Sequence, residues 1–96
     1  MALVTMHTTR WCPYCIAARR LLNAEGVPFD VIDVSASAAL RREMERQSGR
    51  HTVPQIWIGS RHVGGFDDLE QLQSEGLLRQ WLDSAAQERL TNKANH

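Results

Sequence analysis

The order of apolar and polar positions predicts a strand and then a helix at the start of the chain. Residues 3–8 are rich in β-forming side chains and are interpreted as the first strand. A helix is expected to begin near Pro13, because proline is tolerated at the first helical position, and to end at Gly26. Its predicted buried stripe has helical spacing and comprises Tyr14, Ala17, Ala18 and Leu21.

A second strand and a second helix follow in the same order. Residues 29–34 carry apolar side chains on both faces, which is typical of a parallel strand inside a sheet. Ser35 or Ser37 can cap the next helix, because a serine hydroxyl accepts a hydrogen bond from a free N–H of the first turn. Gly49 is the expected end of this helix.

The second half of the chain predicts a hairpin followed by two helices. Residues 53–58 and 61–63 are interpreted as strands joined by a glycine-containing turn. Asp67 is placed to cap a short helix, and the polar residues 91–96 are expected to form a frayed tail. The last helix has an amphipathic stripe that comprises Leu78, Trp81, Leu82 and Ala85.

The resulting order, βαβαββαα, predicts the fold class. A strand–helix–strand unit needs a right-handed crossover and gives a parallel pair, whereas the closing hairpin adds antiparallel strands. The simplest architecture is therefore α/β, with a four-stranded mixed sheet flanked by helices, which is the thioredoxin-like plan. A chain of 96 residues has the size of one domain, so residues 1–96 are expected to form a single one.

The composition limits the classes of partner and the cellular compartments that we expect for this protein. The 11 basic and 11 acidic residues balance, so nothing global indicates nucleic acid or a membrane surface. No apolar stretch has the length of a membrane-spanning helix, and the N-terminal residues do not resemble a signal peptide. We therefore expect a cytoplasmic location, where reducing conditions keep thiols free, and the two cysteines indicate chemistry rather than a structural disulfide.

Cys12 and Cys15 have the spacing of a redox-active pair at the start of a helix. A cysteine attacks as the thiolate, and the N-cap position expected for Cys12 offers free N–H groups and the positive end of the helix dipole. Arg10 can add a positive charge, and Cys15 lies one turn further along within disulfide reach. The alternative is half of a zinc site, for which the four histidines supply no suitably spaced pair.

Two further motifs can serve a substrate. Pro54 starts a strand, and a cis peptide there would leave the backbone of Val53 free to pair with an extended, peptide-like substrate. Two glycines precede residues 66–68 at a predicted helix start, where N–H groups can bind a carboxylate and acidic side chains an ammonium. The γ-glutamyl end of glutathione carries both charges. Each motif can also be purely structural, as a turn proline or as a hairpin end with a helix cap.

Together the three motifs resemble those of a dithiol glutaredoxin, closest to the bacterial glutaredoxin 3 group, from residue 4 to about residue 82. The motifs are Cys12-Pro13-Tyr14-Cys15, Thr52-Val53-Pro54 within residues 48–58, and Gly64-Gly65-Phe66-Asp67-Asp68-Leu69. The resemblance implies the thioredoxin-like fold and reduction of protein disulfides and protein–glutathione mixed disulfides. It also implies glutathione as co-substrate, no tightly bound cofactor or metal, and a monomer. The implied protein partners are disulfide-bonded or glutathionylated proteins, with ribonucleotide reductase as one candidate.

The resemblance also implies roles for individual residues. Cys12 would be the nucleophile and Cys15 the resolving thiol, and Arg41 would reach the glycyl carboxylate of glutathione. The backbone of Thr52 and Val53 would pair with its cysteinyl part. The γ-glutamyl end would bind at Phe66, Asp67 and Asp68, and the remaining candidate contacts are Arg10, Tyr14, Pro54 and Gly65.

Three positions depart from the usual glutaredoxin pattern. Thr9 stands where a lysine is usual, and the adjacent Arg10 is the candidate substitute. Phe66 replaces a cysteine found in many relatives, which is interpreted as a packing change because only the backbone N–H is expected to bind. Trp11 is bulkier than the usual threonine, so it either shapes the protein-substrate surface or is a partly exposed scaffold aromatic.

Three other functions compete with this prediction. An iron–sulfur carrier would use Cys12 and glutathione as cluster ligands, but Pro13 argues against it, since cluster-binding relatives more often have a small, flexible residue there. A thioredoxin, which receives its electrons from a reductase, is the second alternative. The sequences of the cysteine motif and of the glycine-rich motif argue against it. A non-catalytic binding module does not need two thiols at this spacing.

Overall fold

A four-stranded mixed sheet forms the centre of the computed structural model, which describes residues 2–94. Strand β1 (Val4–Thr8) lies between β2 (Phe29–Asp33) and β3 (Gln55–Ile58), and β4 (Arg61–Gly64) follows β3 at the far edge. Strand β1 pairs in parallel with β2 and antiparallel with β3, and β4 is antiparallel to β3. The predicted mixed sheet is confirmed.

Four α-helices accompany the sheet in the described part of the chain. They are α1 (Pro13–Ala24), α2 (Ala38–Ser48), α3 (Phe66–Ser74) and α4 (Leu78–Ala94), and a 3-10 turn at Val34–Ala36 precedes α2. No helix within residues 2–94 is long and apolar enough to cross a membrane.

The main hydrophobic core lies between one face of the sheet and helices α1, α3 and α4. Val4 and Met6 alternate along β1 towards this face, as the two-residue period of a strand requires, and both are fully buried. The helices contribute Ala18, Leu22, Leu69, Leu72, Leu78, Leu82 and Ala85. The predicted stripe of the last helix is thus confirmed. The opposite face carries His7 and Trp57, which share a groove with residues of α2.

Two expectations about buried faces were wrong. The buried side of α1 consists of Cys15, Ala18 and Leu22, whereas Tyr14 is 62% exposed. Tyr14 and Cys15 are adjacent, so their side chains point about 100° apart around the helix, and only one of them can face the core. Strand β2 is parallel, as predicted, but it lies at the edge of the sheet, because β3 occupies the other side of β1.

The helix ends show which of the candidate caps are used. Ser37, not Ser35, caps α2, with its Oγ accepting from the Leu40 N–H at 3.3 Å. Gly49 ends this helix in the left-handed conformation, as predicted.

The last two helices differ from the predictions at one end each. Gly65 is the N-cap of α3, so the prediction that Asp67 caps this helix was wrong; Asp68 accepts from the Gly65 N–H instead. Helix α4 extends through Ala94, so residues 91–94 of the expected tail are helical, and residues 95–96 lie outside the described residues.

Candidate active site

The register of the strands brings three chain segments to one end of the sheet. His7, near the end of β1, is paired with Gln55 at the start of β3. Ile56 is in turn paired with Gly64 at the end of β4. The loop that leads to Cys12, the segment before β3 and the start of α3 therefore meet at this end. The sheet topology alone explains why motifs far apart in sequence can form one site.

Cys12 occupies the N-cap of α1, as the sequence predicted. Its backbone is extended, with φ −142° and ψ 107°, and Pro13 begins the helix behind it. The Cys12 Sγ accepts a hydrogen bond from the Cys15 N–H at 3.2 Å. The same sulfur lies 3.5 Å from the carbonyl oxygen of Val53, to which the thiol donates. A first-turn N–H, which has no acceptor within the helix, thus donates directly to the sulfur.

Cys15 has a contrasting environment. It is only 3% exposed, and both cysteines are free thiols. Burial, followed by its hydrogen bond to Cys12, raises the pKa of the Cys15 thiol to about 12. A backbone hydrogen bond with Thr9 and, less strongly, the positive charge of Arg19 reduce this shift only in part. Cys15 is therefore protonated at neutral pH, which suits a thiol that reacts second.

We expect alkylation to distinguish the two thiols. Iodoacetamide at neutral pH should modify Cys12 and leave Cys15 unmodified in the folded protein, because Cys15 is buried and its pKa is about 12. Peptide mapping by mass spectrometry after a timed quench measures both sites. The same reaction in urea, where both thiols are accessible, is the control. Equal modification rates in the folded protein would contradict this description of Cys15.

The segment before β3 has the predicted cis peptide bond between Val53 and Pro54. Thr52 in this segment is held by Gln55, whose Nε2 donates to the Thr52 carbonyl oxygen at 3.0 Å and to Thr52 Oγ1 at 3.3 Å. The Gln55 Oε1 also pairs with His62 Nε2 at 2.7 Å. Gln55 is fully buried, so these bonds satisfy an amide that would otherwise be costly to bury. The sequence analysis missed Gln55, although a single amide in an apolar strand is a usable signal.

The start of α3 leaves backbone N–H groups open. The N-cap residue Gly65 has no side chain with which to cap the helix, so the N–H groups of Phe66 and Asp67 have no capping acceptor. Asp68 Oδ2 accepts from the Gly65 N–H at 2.9 Å and from Arg50 Nη1 at 2.8 Å. The Arg50 guanidinium, followed by the Gly65 N–H, lowers the pKa of the Asp68 carboxyl below its ordinary value of 3.8.

The role of Arg50 can be tested by titration. A depressed carboxyl pKa contributes stability above the unfolded-state pKa, and this contribution is lost as the pH falls through the folded-state pKa. Arg50→Gln should therefore raise the pKa of Asp68, as measured by carbon-detected NMR of its side-chain carboxyl, and should shift acid unfolding to higher pH. Arg42→Gln, which changes an exposed arginine of α2, is the matched control. An unchanged Asp68 pKa in Arg50→Gln would contradict the assignment.

A groove of about 350 Å³ connects these features, and we call it the α3 groove. Its lining residues are Tyr14, Arg50, Thr52, Val53, Pro54, Gly65, Phe66, Asp67 and Asp68. The structure thus brings eight of the ten predicted binding residues together. The contact between Val53 and the Cys12 sulfur joins the groove to the thiol. Arg50, which the sequence analysis missed, also lines it.

The two remaining candidates lie elsewhere. The Arg41 Nη2 donates to the His51 carbonyl oxygen at 2.7 Å and does not line the α3 groove. Arg10 is exposed, and its charge acts on Asp33, the last residue of β2. The sequence could not show that these two arginines lie outside the groove, because a long arginine side chain can reach several different neighbours.

A larger groove of about 660 Å³ lies between the start of the chain, β2 and α4. Leu3, Phe29 and Leu82 contribute to its wall, and neither hydrogen bond of the Cys12 sulfur involves a residue that lines it. Size alone therefore does not identify the site. Within residues 2–94 no cluster of three or more potential metal-binding side chains exists.

Comparisons with known proteins identify the family of the chain. The Glutaredoxin family model matches residues 4–63. A Pseudomonas aeruginosa glutaredoxin is 51% identical over 78 residues, which cover 81% of this chain and 93% of that protein. Escherichia coli glutaredoxin 3 is 47% identical over 76 residues, covering 79% and 92%.

The fold has solved counterparts as well. The solution structure of glutaredoxin from Brucella melitensis matches with a TM-score of 0.76 and 51% identity, over 85% of this chain and 89% of that one. The predicted thioredoxin-like fold and the predicted family are confirmed. The chain belongs to the glutaredoxin family, the glutathione-dependent thiol–disulfide oxidoreductases.

Proposed function

We propose that Cys12 is the attacking thiol and that the α3 groove holds glutathione during the reduction of glutathionylated and disulfide-bonded proteins. The observation that carries this proposal is the position of the Cys12 sulfur. It receives the Cys15 N–H at 3.2 Å and lies 3.5 Å from the carbonyl oxygen of Val53, which lines the groove. A disulfide whose glutathione half lies in the groove would present its sulfur to Cys12.

One route uses Cys12 alone. Its thiolate attacks the glutathione sulfur of a mixed disulfide, a new bond forms between Cys12 and glutathione, and the protein substrate leaves as a thiolate that takes up a proton. The thiolate of a second glutathione then attacks the bound glutathione sulfur. This step releases oxidised glutathione and regenerates the Cys12 thiolate. The net reaction consumes one free glutathione, whose sulfur joins that of the substrate's glutathione in the oxidised product, and the protein sulfur leaves as a thiol.

The other route uses both cysteines on a protein disulfide. Cys12 attacks first, and Cys15 then loses its proton and attacks the Cys12 sulfur, which releases the second substrate thiol. Two of the effects that raise the pKa of Cys15 come from Cys12, by hydrogen bond and by charge. Both disappear once the Cys12 sulfur is part of a disulfide, so Cys15 becomes easier to deprotonate at the step that needs it. Two glutathione molecules reopen the Cys12–Cys15 disulfide.

The groove offers complementary contacts for glutathione. The open N–H groups of Phe66 and Asp67 suit the γ-glutamyl carboxylate. The Asp67 side chain is exposed and makes no hydrogen bond with a described residue, so it can accept the ammonium, whereas Asp68 is engaged with Arg50 and Gly65. The backbone of Thr52 and Val53, held by Gln55, would pair with the cysteinyl part.

Two arginines are candidates for the glycyl carboxylate. Arg41 contacts the loop beside the groove through the His51 carbonyl oxygen, and Arg50 lines the groove itself. If Arg41 binds this carboxylate, Arg41→Gln raises the KM for glutathione and leaves the Asp68 pKa unchanged. If Arg50 binds it, Arg50→Gln changes both quantities.

A steady-state assay tests the proposal. Turnover of the mixed disulfide of glutathione and cysteine is coupled to glutathione reductase, and the KM for glutathione is measured. Asp67→Asn should raise this KM about tenfold with little change in kcat, since a charged hydrogen bond to the ammonium is lost. Asp83→Asn, which removes a carboxylate from the larger groove, is the matched control and should leave it unchanged. The opposite pattern would place glutathione in the larger groove.

We also propose a single domain that acts as a monomer in the cytoplasm, on disulfide-bonded or glutathionylated proteins. Support for one domain comes from the core, to which β1, α1, β3, α3 and α4 all contribute. Support for the compartment comes from the chemistry, because reduction by glutathione needs a pool kept reduced.

A further inference from the structure

The outer face of α1 carries exposed side chains beside the nucleophile that the reaction described above does not use. Ile16 is 52% exposed and Trp11, directly before Cys12, is 88% exposed. Cys12, Ile16 and Arg20 are four residues apart, so they follow one another along the same side of the helix. Ile16 and Arg20 on this side are exposed, whereas Cys15, Ala18 and Leu22 on another side of α1 are buried. We call Cys12, Ile16 and Arg20, with Trp11 at the end, the α1 outer face.

The apolar residues of this face do little for the fold. Neither Trp11 nor Ile16 belongs to the hydrophobic core or is packed against it. Isoleucine is also a poorer helix former than leucine or arginine, so helix propensity does not explain its presence on an exposed turn. Single exposed apolar residues are ordinary, but these two flank the reactive thiol within five positions. Their place beside Cys12 indicates contact with whatever approaches the sulfur.

The α1 outer face is positively charged, and no acidic side chain of the same helix neutralises this charge. Arg19 and Arg20 are exposed, and the helix Pro13–Ala24 contains no acidic residue. Arg20 forms no ion pair with any residue in the described part of the chain. An acidic side chain of a partner would therefore meet an available guanidinium one turn beyond Ile16.

We propose that the α1 outer face selects substrate proteins by the residues around their reactive cysteine, which rests on the assignment of Cys12 as the attacking thiol. The fitting partner is an extended segment with an apolar residue two positions from that cysteine and an acidic residue four positions from it, on the same side. Two extended residues span about 7 Å and four span about 13 Å. The helix places Ile16 and Arg20 about 6 Å and about 12 Å along its axis from Cys12. Alternate residues of an extended chain share a face, so both side chains can face the helix.

Four glutathionylated peptides test this inference. In the first pair, one peptide has Leu two residues and Glu four residues after the cysteine, and its partner has Ser and Gln at these positions. In the second pair, the same residues stand two and four positions before the cysteine. In one chain direction the Leu/Glu peptide should have a kcat/KM about tenfold above its Ser/Gln partner, as expected for burying one apolar side chain. Equal turnover within both pairs would overturn the proposal.

Variants of the face identify the residues responsible. Ile16→Ser should remove most of the preference, Ile16→Leu should keep it, and Arg20→Gln should reduce it about twofold and make it insensitive to salt. Leu90→Ser, which changes an exposed apolar residue of α4, is the control for general surface polarity. A preference that persists unchanged in Ile16→Ser and Arg20→Gln would contradict the proposal. The mixed disulfide of glutathione and cysteine is too small to reach Ile16, so its turnover by these variants reports separately on Cys12 chemistry.

Discussion

Cys12→Ser is expected to abolish glutathione-dependent disulfide exchange, whereas Cys15→Ser is expected to keep the reduction of glutathione mixed disulfides. A serine hydroxyl is not ionised at neutral pH and cannot form a disulfide, so neither route can begin. Cys15 enters only the route for protein disulfides. Cys15 is buried, and burial, the largest cause of its raised pKa, remains in Cys12→Ser, so Cys15 should not replace Cys12 as the attacking group.

The assay that separates the two variants uses two substrates with the same coupling to glutathione reductase. With the mixed disulfide of glutathione and cysteine, Cys12→Ser should show no turnover above the uncatalysed rate, and Cys15→Ser should retain at least about a tenth of the wild-type rate. With a protein disulfide, both variants should lose most of their activity. Circular dichroism establishes that both are folded. Catalysis by Cys12→Ser, with Cys15 as the acting thiol, would overturn the assignment of the nucleophile.

Gly64→Ala is expected to destabilise the protein by about 2–3 kcal/mol and to damage the α3 groove. Gly64 has φ +121°, where a side chain is strained, and an added Cβ would lie 2.2 Å from Asp68 Oδ2 and 3.0 Å from Arg50 Nη1. The Asp68 side chain would have to leave the Gly65 N–H and Arg50, because both bonds hold it in the occupied position. The cap of α3 and the ion pair would be lost together.

Gly76→Ala is the matched control for Gly64→Ala. Gly76 also has a positive φ, +74°, but no atom lies within 4 Å of an added Cβ, so its variant should lose only about 1 kcal/mol. Urea unfolding gives both stabilities, and the KM for glutathione should rise in Gly64→Ala alone. Equal destabilisation by the two substitutions would show that backbone strain, and not the displacement of Asp68, determines the effect.

The sequence was informative wherever one residue type has few structural uses. The Cys12-Pro13 pair predicted the helix start correctly, since proline fits the first helical position and a cysteine before it lies at the N-cap. Pro54 likewise predicted a special backbone at the start of β3, and the cis bond was found there. The parallel and antiparallel pairing of the sheet followed from the order of its elements.

The sequence was less informative about contacts between segments. Arg50 and Asp68 are 18 residues apart, and only the fold shows that they pair. In the sequence, nothing distinguishes Arg50 from the other arginines of the chain. Gln55 contacts Thr52 and His62 from within a buried strand. These contacts depend on the register of the strands, which the sequence does not show. Tyr14 was expected in the core because its spacing fits the helical period, yet the orientation of α1 on the sheet exposes it to the groove.

The most direct test of glutathione binding in the α3 groove is an NMR comparison. Cys15→Ser is converted quantitatively to its mixed disulfide with glutathione, and backbone amide shifts are compared with those of the reduced variant. The proposal predicts a glutathione adduct on Cys12, with the largest shift changes outside Cys12 itself at Val53, Phe66 and Asp67. Changes concentrated instead along Leu3, Phe29 and Leu82 of the larger groove would contradict it.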